Sequence, residues 1–145
     1  MKKNITSILL VVVLLGVGGF IAFKAMNNKN EFQTVSDYVK ENKKELENIA
    51  KEYIKGNKVE YLKDIKSVEN KKQNGDNLVY FTLKDSSDNS GFYYTEKNEP
   101  TPDESGIDLI ELGNDKYKWV DKDGNDKGET TKIVDNWYYY KNNNK

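Results

Sequence analysis

The chain has 145 residues, 36% hydrophobic, 32% charged and 12% aromatic, with a formal net charge of −1. That length leaves room for one small domain beside an apolar N-terminal run, and the aromatic share separates it from chains too polar to bury a core. Histidine and cysteine are both absent, which excludes disulfides, a thiolate nucleophile, an acylated cysteine, and the commonest general base and metal ligand.

The N-terminal segment 5–23, ITSILLVVVLLGVGGFIAF, carries no charge over 19 residues, roughly 28 Å of helix at ~1.5 Å per residue and enough to cross a bilayer once. Lys2 and Lys3 precede it, so the positive-inside rule places residues 1–4 in the cytoplasm and everything beyond the span outside. A cleaved signal peptide is the competing reading. Its apolar core is usually shorter and ends in a small-x-small site, which Ala22-Phe23-Lys24-Ala25 does not supply. An uncleaved signal anchor in the cell membrane is therefore expected, then a short linker, 24–30, and an extracytoplasmic domain, 31–145. The bilayer is the first expected partner. Setting aside Lys2, Lys3 and Lys24 leaves 20 of the 23 lysines against 24 acidic residues, with no arginine. Such a domain lacks the electrostatic footprint of a nucleic-acid binder.

Beyond the linker, Phe32, Val35, Val39, Leu46, Ile49 and Tyr53 recur at helical spacing on one face. Thr34 with Asp37 is a loose capping box, Glu47 and Lys51 form an i,i+4 pair, and Gly56 is the expected stop. Two readings fit this stripe. It covers the chain's own sheet, or it forms a seam with a second copy in which Asn42 fixes the register.

After Lys63 the periodicity becomes alternating. Asn74-Gly75 marks a tight hairpin between strands at 65–72 and 78–84. In the second of these both faces are apolar, with Leu78, Tyr80 and Thr82 opposite Val79, Phe81 and Leu83, which reads as a central strand. Further strands are expected at 91–95, 107–112, 117–121, 130–134 and 137–141, with Asp85–Ser90 and the stretch holding Pro100 and Pro102 as loops. The fold class is α+β: a transmembrane helix, then one amphipathic helix packed on an antiparallel meander of about six strands, with a cystatin-like wrap as a candidate topology.

Three constellations invite a chemical reading. Asp121, Asp123 and Asn125 have the 1, 3, 5 spacing of a calcium loop, but Asp126 stands where glycine is needed and Lys132 where the twelfth-position glutamate belongs. A polar hairpin turn explains the stretch more simply, and no metal or cofactor is expected. Glu96, Glu99, Asp103, Glu104 and Asp108 crowd the proline-bearing loop. Sequence proximity of carboxylates does not make a glycosidase pair, and the chain is read as not an enzyme. Tyr93, Tyr94, Trp119, Trp137 and Tyr139 form a candidate binding surface that could stack on sugars or peptides, although strand alternation turns about half of any such run into the core.

The helix segment TVSDYVKENKKEL, the GFYYT run at 91–95 and the terminal KIVDNWYYYK at 132–141 resemble uncharacterised small membrane-anchored extracytoplasmic proteins of Gram-positive bacteria. The resemblance implies architecture and carries no catalytic residue. Together these observations point to a non-enzymatic binding or accessory module of the envelope, partnered by an envelope or membrane protein. The alternatives are a homo-oligomer assembled through the 32–53 stripe and a carbohydrate-binding module using exposed sheet aromatics.

Overall fold

The computed structural model describes residues 30–102, 106–124 and 127–143. The anchor expected at 5–23, with the tail and most of the linker around it, lies outside those residues; among the described residues no helix is long and apolar enough to cross a membrane.

Helix α1 runs Glu31–Ile54. It begins one turn before the Thr34/Asp37 pair because Asn30 is the cap: its Oδ1 accepts the Gln33 N–H at 2.8 Å, satisfying a donor the helix itself cannot. It ends as expected at Gly56, whose φ is +81°. There the Gly56 N–H donates to the Tyr53 carbonyl at 3.0 Å and the Asn57 N–H to the Glu52 carbonyl at 2.9 Å, the paired bonds of a Schellman cap. The buried face comprises Val35, Ser36, Tyr38, Val39, Leu46, Ile49 and Ala50, while Phe32 and Tyr53 are only partly covered. Val39 and Leu46 are fully buried within the single chain, and the Asn42 amide turns back to donate to the Tyr38 carbonyl at 2.9 Å. Of the two readings of the stripe, packing on the chain's own sheet is the one observed, and it takes up Val39 and Leu46.

Among the described residues seven strands follow: β1 (Ile65–Gln73), β2 (Asp76–Leu83), β3 (Ser90–Thr95), β4 (Ile110–Gly113), β5 (Lys116–Val120), β6 (Lys127–Val134) and β7 (Trp137–Asn142). All seven expected segments are strands, one more than the expected count. They form one antiparallel sheet in the order β1-β2-β3-β7-β6-β5-β4. The simple meander is therefore corrected to two meanders joined where β3 pairs with β7. Burial explains the order. SGFYYT is buried at every position, and WYYYKN carries three buried aromatics; both strands need neighbours on each side. IELG in β4 is exposed throughout and sits at an edge. Between β3 and β4 the chain must cross from the centre to that edge, and the proline-bearing segment makes the crossing.

The Asn74-Gly75 hairpin forms as read, with φ of 51° and 75° at its two central residues and Gln73 opposite Asp76. β4 starts three residues later than expected and β6 three residues earlier, in the stretch read as turn, because Val120 pairs with Lys127 across the β5–β6 hairpin. The core lies on both faces of the sheet. On one, the Phe81 and Phe92 rings stack at 5.1 Å, Trp137 packs 5.6 and 5.9 Å from them, and Tyr38 of α1 meets Phe92 at 6.1 Å. On the other, Leu78, Tyr80, Tyr93 and Tyr138 form a second cluster with Tyr140 packed against it.

Candidate functional site

The second cluster follows from register. Cross-strand pairing puts Glu69, Tyr80, Tyr93 and Tyr138 in one row over β1, β2, β3 and β7. Successive tyrosines stack, Tyr80 on Tyr93 at 5.1 Å and Tyr93 on Tyr138 at 5.4 Å. Gly91 lies opposite Tyr140, and a Cβ there would stand 2.9 Å from the Tyr140 ring and hydroxyl. The missing side chain is what lets that ring lie across the backbone and meet Tyr80 edge-on at 5.4 Å.

Tyr93 is tied down at its hydroxyl. It accepts the Thr101 N–H at 2.9 Å and donates to Thr130 Oγ1 at 2.9 Å, because the Thr130 hydroxyl itself donates to the Tyr139 carbonyl. Tyr138 donates to the Asn98 carbonyl at 2.9 Å, and the Gln73 amide donates to the Pro102 carbonyl at 3.0 Å. Residues 96–102 are thus strapped over this end of the tyrosine row, and two of them, Thr101 and Pro102, are buried. Burial pushes the Tyr93 hydroxyl well above the usual phenol range and outweighs the hydrogen bonds around it. It pushes Tyr138 up to about 12 and raises Tyr38 as well.

The strap stops short of Tyr80 and Tyr140. Those two rings floor a depression of about 230 Å³ beside β1. Its rim is charged with both signs: Lys66 pairs with Asp88 of the 85–89 loop at 2.7 Å, Glu69 stands between, and the Lys71 ammonium lies 4.7 Å from the Tyr80 ring centroid, within cation–π range. A polar or charged group small enough to enter would meet the half-buried Tyr140 below, since Tyr80 is itself only 5% exposed, and both a cation and a carboxylate at the sides. No protein-family model, curated protein or solved structure matches the chain.

The five aromatics singled out from the sequence are elsewhere. Tyr93 and Trp137 are fully buried, Trp119 is 2% exposed, and Tyr94 and Tyr139 are 7% exposed. Trp137 and Tyr94 meet at 5.2 Å on the α1 face, where register also places Tyr139 opposite Phe92. Tyr93 is on the opposite face, as is Trp119, which lies over Gly128. The structure does not gather them, and none offers a free ring face, so a sugar-stacking platform made of these residues is withdrawn. On one face the strap holds Tyr93 and Trp119 lies against Gly128, and the other is the face that α1 covers.

One wall of the depression follows from the hairpin alone. Closing Asn74-Gly75 as a two-residue turn puts Lys71 opposite Leu78 and Glu69 opposite Tyr80. The contribution of Tyr140 needed the β3/β7 pairing, which no local pattern carries. Of the crowded carboxylates, Glu96 accepts from the Asn77 amide, and Asp103 and Glu104 lie outside the described residues. Among the described residues no cluster of three or more potential ligands could hold a metal. Asp121 and Asp123 sit in the β5–β6 hairpin, Asn125 and Asp126 lie outside the described residues, and Lys132 pairs with Asp135 at 2.9 Å.

Proposed function

We propose that residues 31–145 are a non-enzymatic binding module, held at the outer face of the cell membrane by residues 5–23. Its partner is an envelope component, most simply the exposed segment of a membrane protein. The observation that carries this reading is the depression beside Tyr140, where that half-buried ring, backed by the buried Tyr80, is framed by Lys66, Glu69, Lys71 and Asp88. Aromatic floors with a few convergent polar groups are how small recognition sites are built. The absence of histidine and cysteine from the whole chain supports binding over catalysis. The short polar linker, 24–30, limits reach to tens of ångströms from the bilayer and favours a membrane-borne partner over a distant polymer.

The test is affinity capture from cross-linked cell envelopes. It uses the full chain, a 1–30 form as control, and a rim variant carrying Lys66→Glu and Glu69→Lys, both exposed positions. One membrane protein recovered with the full chain and lost with both comparison forms is the expected result. Equal recovery by the rim variant would remove the depression from the account, and equal recovery by the 1–30 form would remove the domain.

A further inference from the structure

The sheet has two free edges, and they are built differently. β1 is guarded by Lys66, Lys71 and Lys72 and by an irregularity in register between Ile65 and Ser67, which is how natural sheets discourage an added strand. β4 has no lysine. All four of its residues are exposed, with Ile110 and Leu112 at 50% and 54%, and Val120 on β5 is at 45%. These are three of the four large apolar side chains exposed among the described residues.

The ladder also stops early here. Ile110 pairs with Lys118, so Asp108 would fall opposite Val120 if the strand continued. Residues 107–109 nevertheless lie outside it, although nothing in Ile107-Asp108-Leu109 bars a strand. Among the described residues the outer side of β4 has no strand partner, and the edge offers apolar side chains and three adjoining residues that lead on from its end.

We infer that residues 107–113 accept an extended segment of another protein as an eighth strand, and that this segment places basic residues opposite Asp108 and Glu111 and apolar residues opposite Leu109, Ile110 and Leu112. Charge decides between partners. Asp108 and Glu111 are exposed, and among the described residues neither has a cation within ion-pair distance. Lys118 stands one strand inward, opposite Ile110, which leaves the outer margin acidic. A second copy of this edge would bring four carboxylates to one seam with no base between them, and like charges across strands are destabilising. A basic strand converts each of those contacts to attraction, while its main chain supplies the missing hydrogen bonds.

The experiment uses the full chain in detergent and two labelled heptapeptides, Thr-Val-Lys-Val-Val-Lys-Thr and the same sequence with glutamate for lysine. The basic peptide should bind roughly tenfold more tightly, the swing of two cross-strand charge pairs. Its addition should slow amide exchange at 107–113. Asp108→Lys combined with Glu111→Lys should reverse the preference, and since both positions are exposed the circular dichroism should be unchanged. Binding of neither peptide at about 1 mM, equal binding of both, or protection elsewhere on the domain would overturn the inference. So would slowed exchange at 107–113 that appears with protein concentration alone, which would identify a second copy as the occupant.

Discussion

The Tyr93 hydroxyl gives a stability test whose sign and size both follow from its surroundings. Below pH ~10, the ordinary phenol value, Tyr93 is protonated in the folded and unfolded chain alike. Tyr93→Phe then costs about 1–3 kcal/mol, because the buried Thr101 N–H loses its acceptor and Thr130 Oγ1 its donor. Above that pH the unfolded chain releases a proton that the folded chain retains, since burial raises the folded value. The folded state then binds more protons than the unfolded one, so stability falls as pH rises, by ~1.4 kcal/mol per unit from this residue. By pH 12 the wild type has lost about 2.7 kcal/mol that the phenylalanine variant never had to lose. Tyr38 and Tyr138 shift the same way, but both proteins contain them, and their contribution cancels in the difference. Urea unfolding followed by the fluorescence of Trp119 and Trp137, repeated from neutral pH to pH 12, should show the two stabilities converging. Parallel curves would refute the burial and bonding assigned to Tyr93.

Three further outcomes follow from packing and backbone geometry. A Cβ at Gly128 would stand 2.2 Å from Trp119 Cζ2 and 2.7 Å from the Lys141 carbonyl. Gly128→Ala should therefore lower stability by about 1–3 kcal/mol or more, and in a Trp119→Ala background only part of that cost should disappear, because the carbonyl remains. Gly56 has open space around its Cα but a φ of +81°. Gly56→Ala should cost about 1–2 kcal/mol through backbone strain alone, and a neutral result in urea unfolding would dispute the cap. Leu46→Ala should cost about 2–5 kcal/mol with no change in how sedimentation depends on concentration. Loss of self-association instead would restore the helix seam.

What the sequence made legible was local. Stripe residues at three- and four-residue spacing located α1, and Asn74-Gly75 fixed both a turn and the register of β1 on β2. The Leu78 to Leu83 alternation identified a strand with neighbours on each side, as β2 has. The cap was misplaced because Thr34 resembles a capping residue as well as Asn30 does, and only the bond to Gln33 distinguishes them. Strand order was not legible. The contact that sets it joins Gly91 to Tyr140, and alternation tells which side of a strand is buried without saying what lies beside it. The same blindness put the candidate surface on Tyr93 and Trp137, which are prominent by composition, and passed over Tyr80 and Tyr140, which meet only once β7 stands beside β3. The strap was missed for a related reason: a polar loop carrying Pro100 and Pro102 gives no sign that Thr101 will hydrogen-bond a tyrosine eight residues before it.

The position of β7 also sets a timetable. It is the last strand in chain order and the fourth of seven across the sheet, so the β1-β2-β3 unit and the β4-β5-β6 unit share no seam until residues 137–142 are present. A chain delivered N-terminus first, from a ribosome or through a membrane pore, cannot complete its fold partway through delivery, and non-local strand pairing of this kind forms slowly even then. A copy that stops before Trp137 is left as two half-sheets with the buried edges of β3 and β6 open, the kind of species that aggregates.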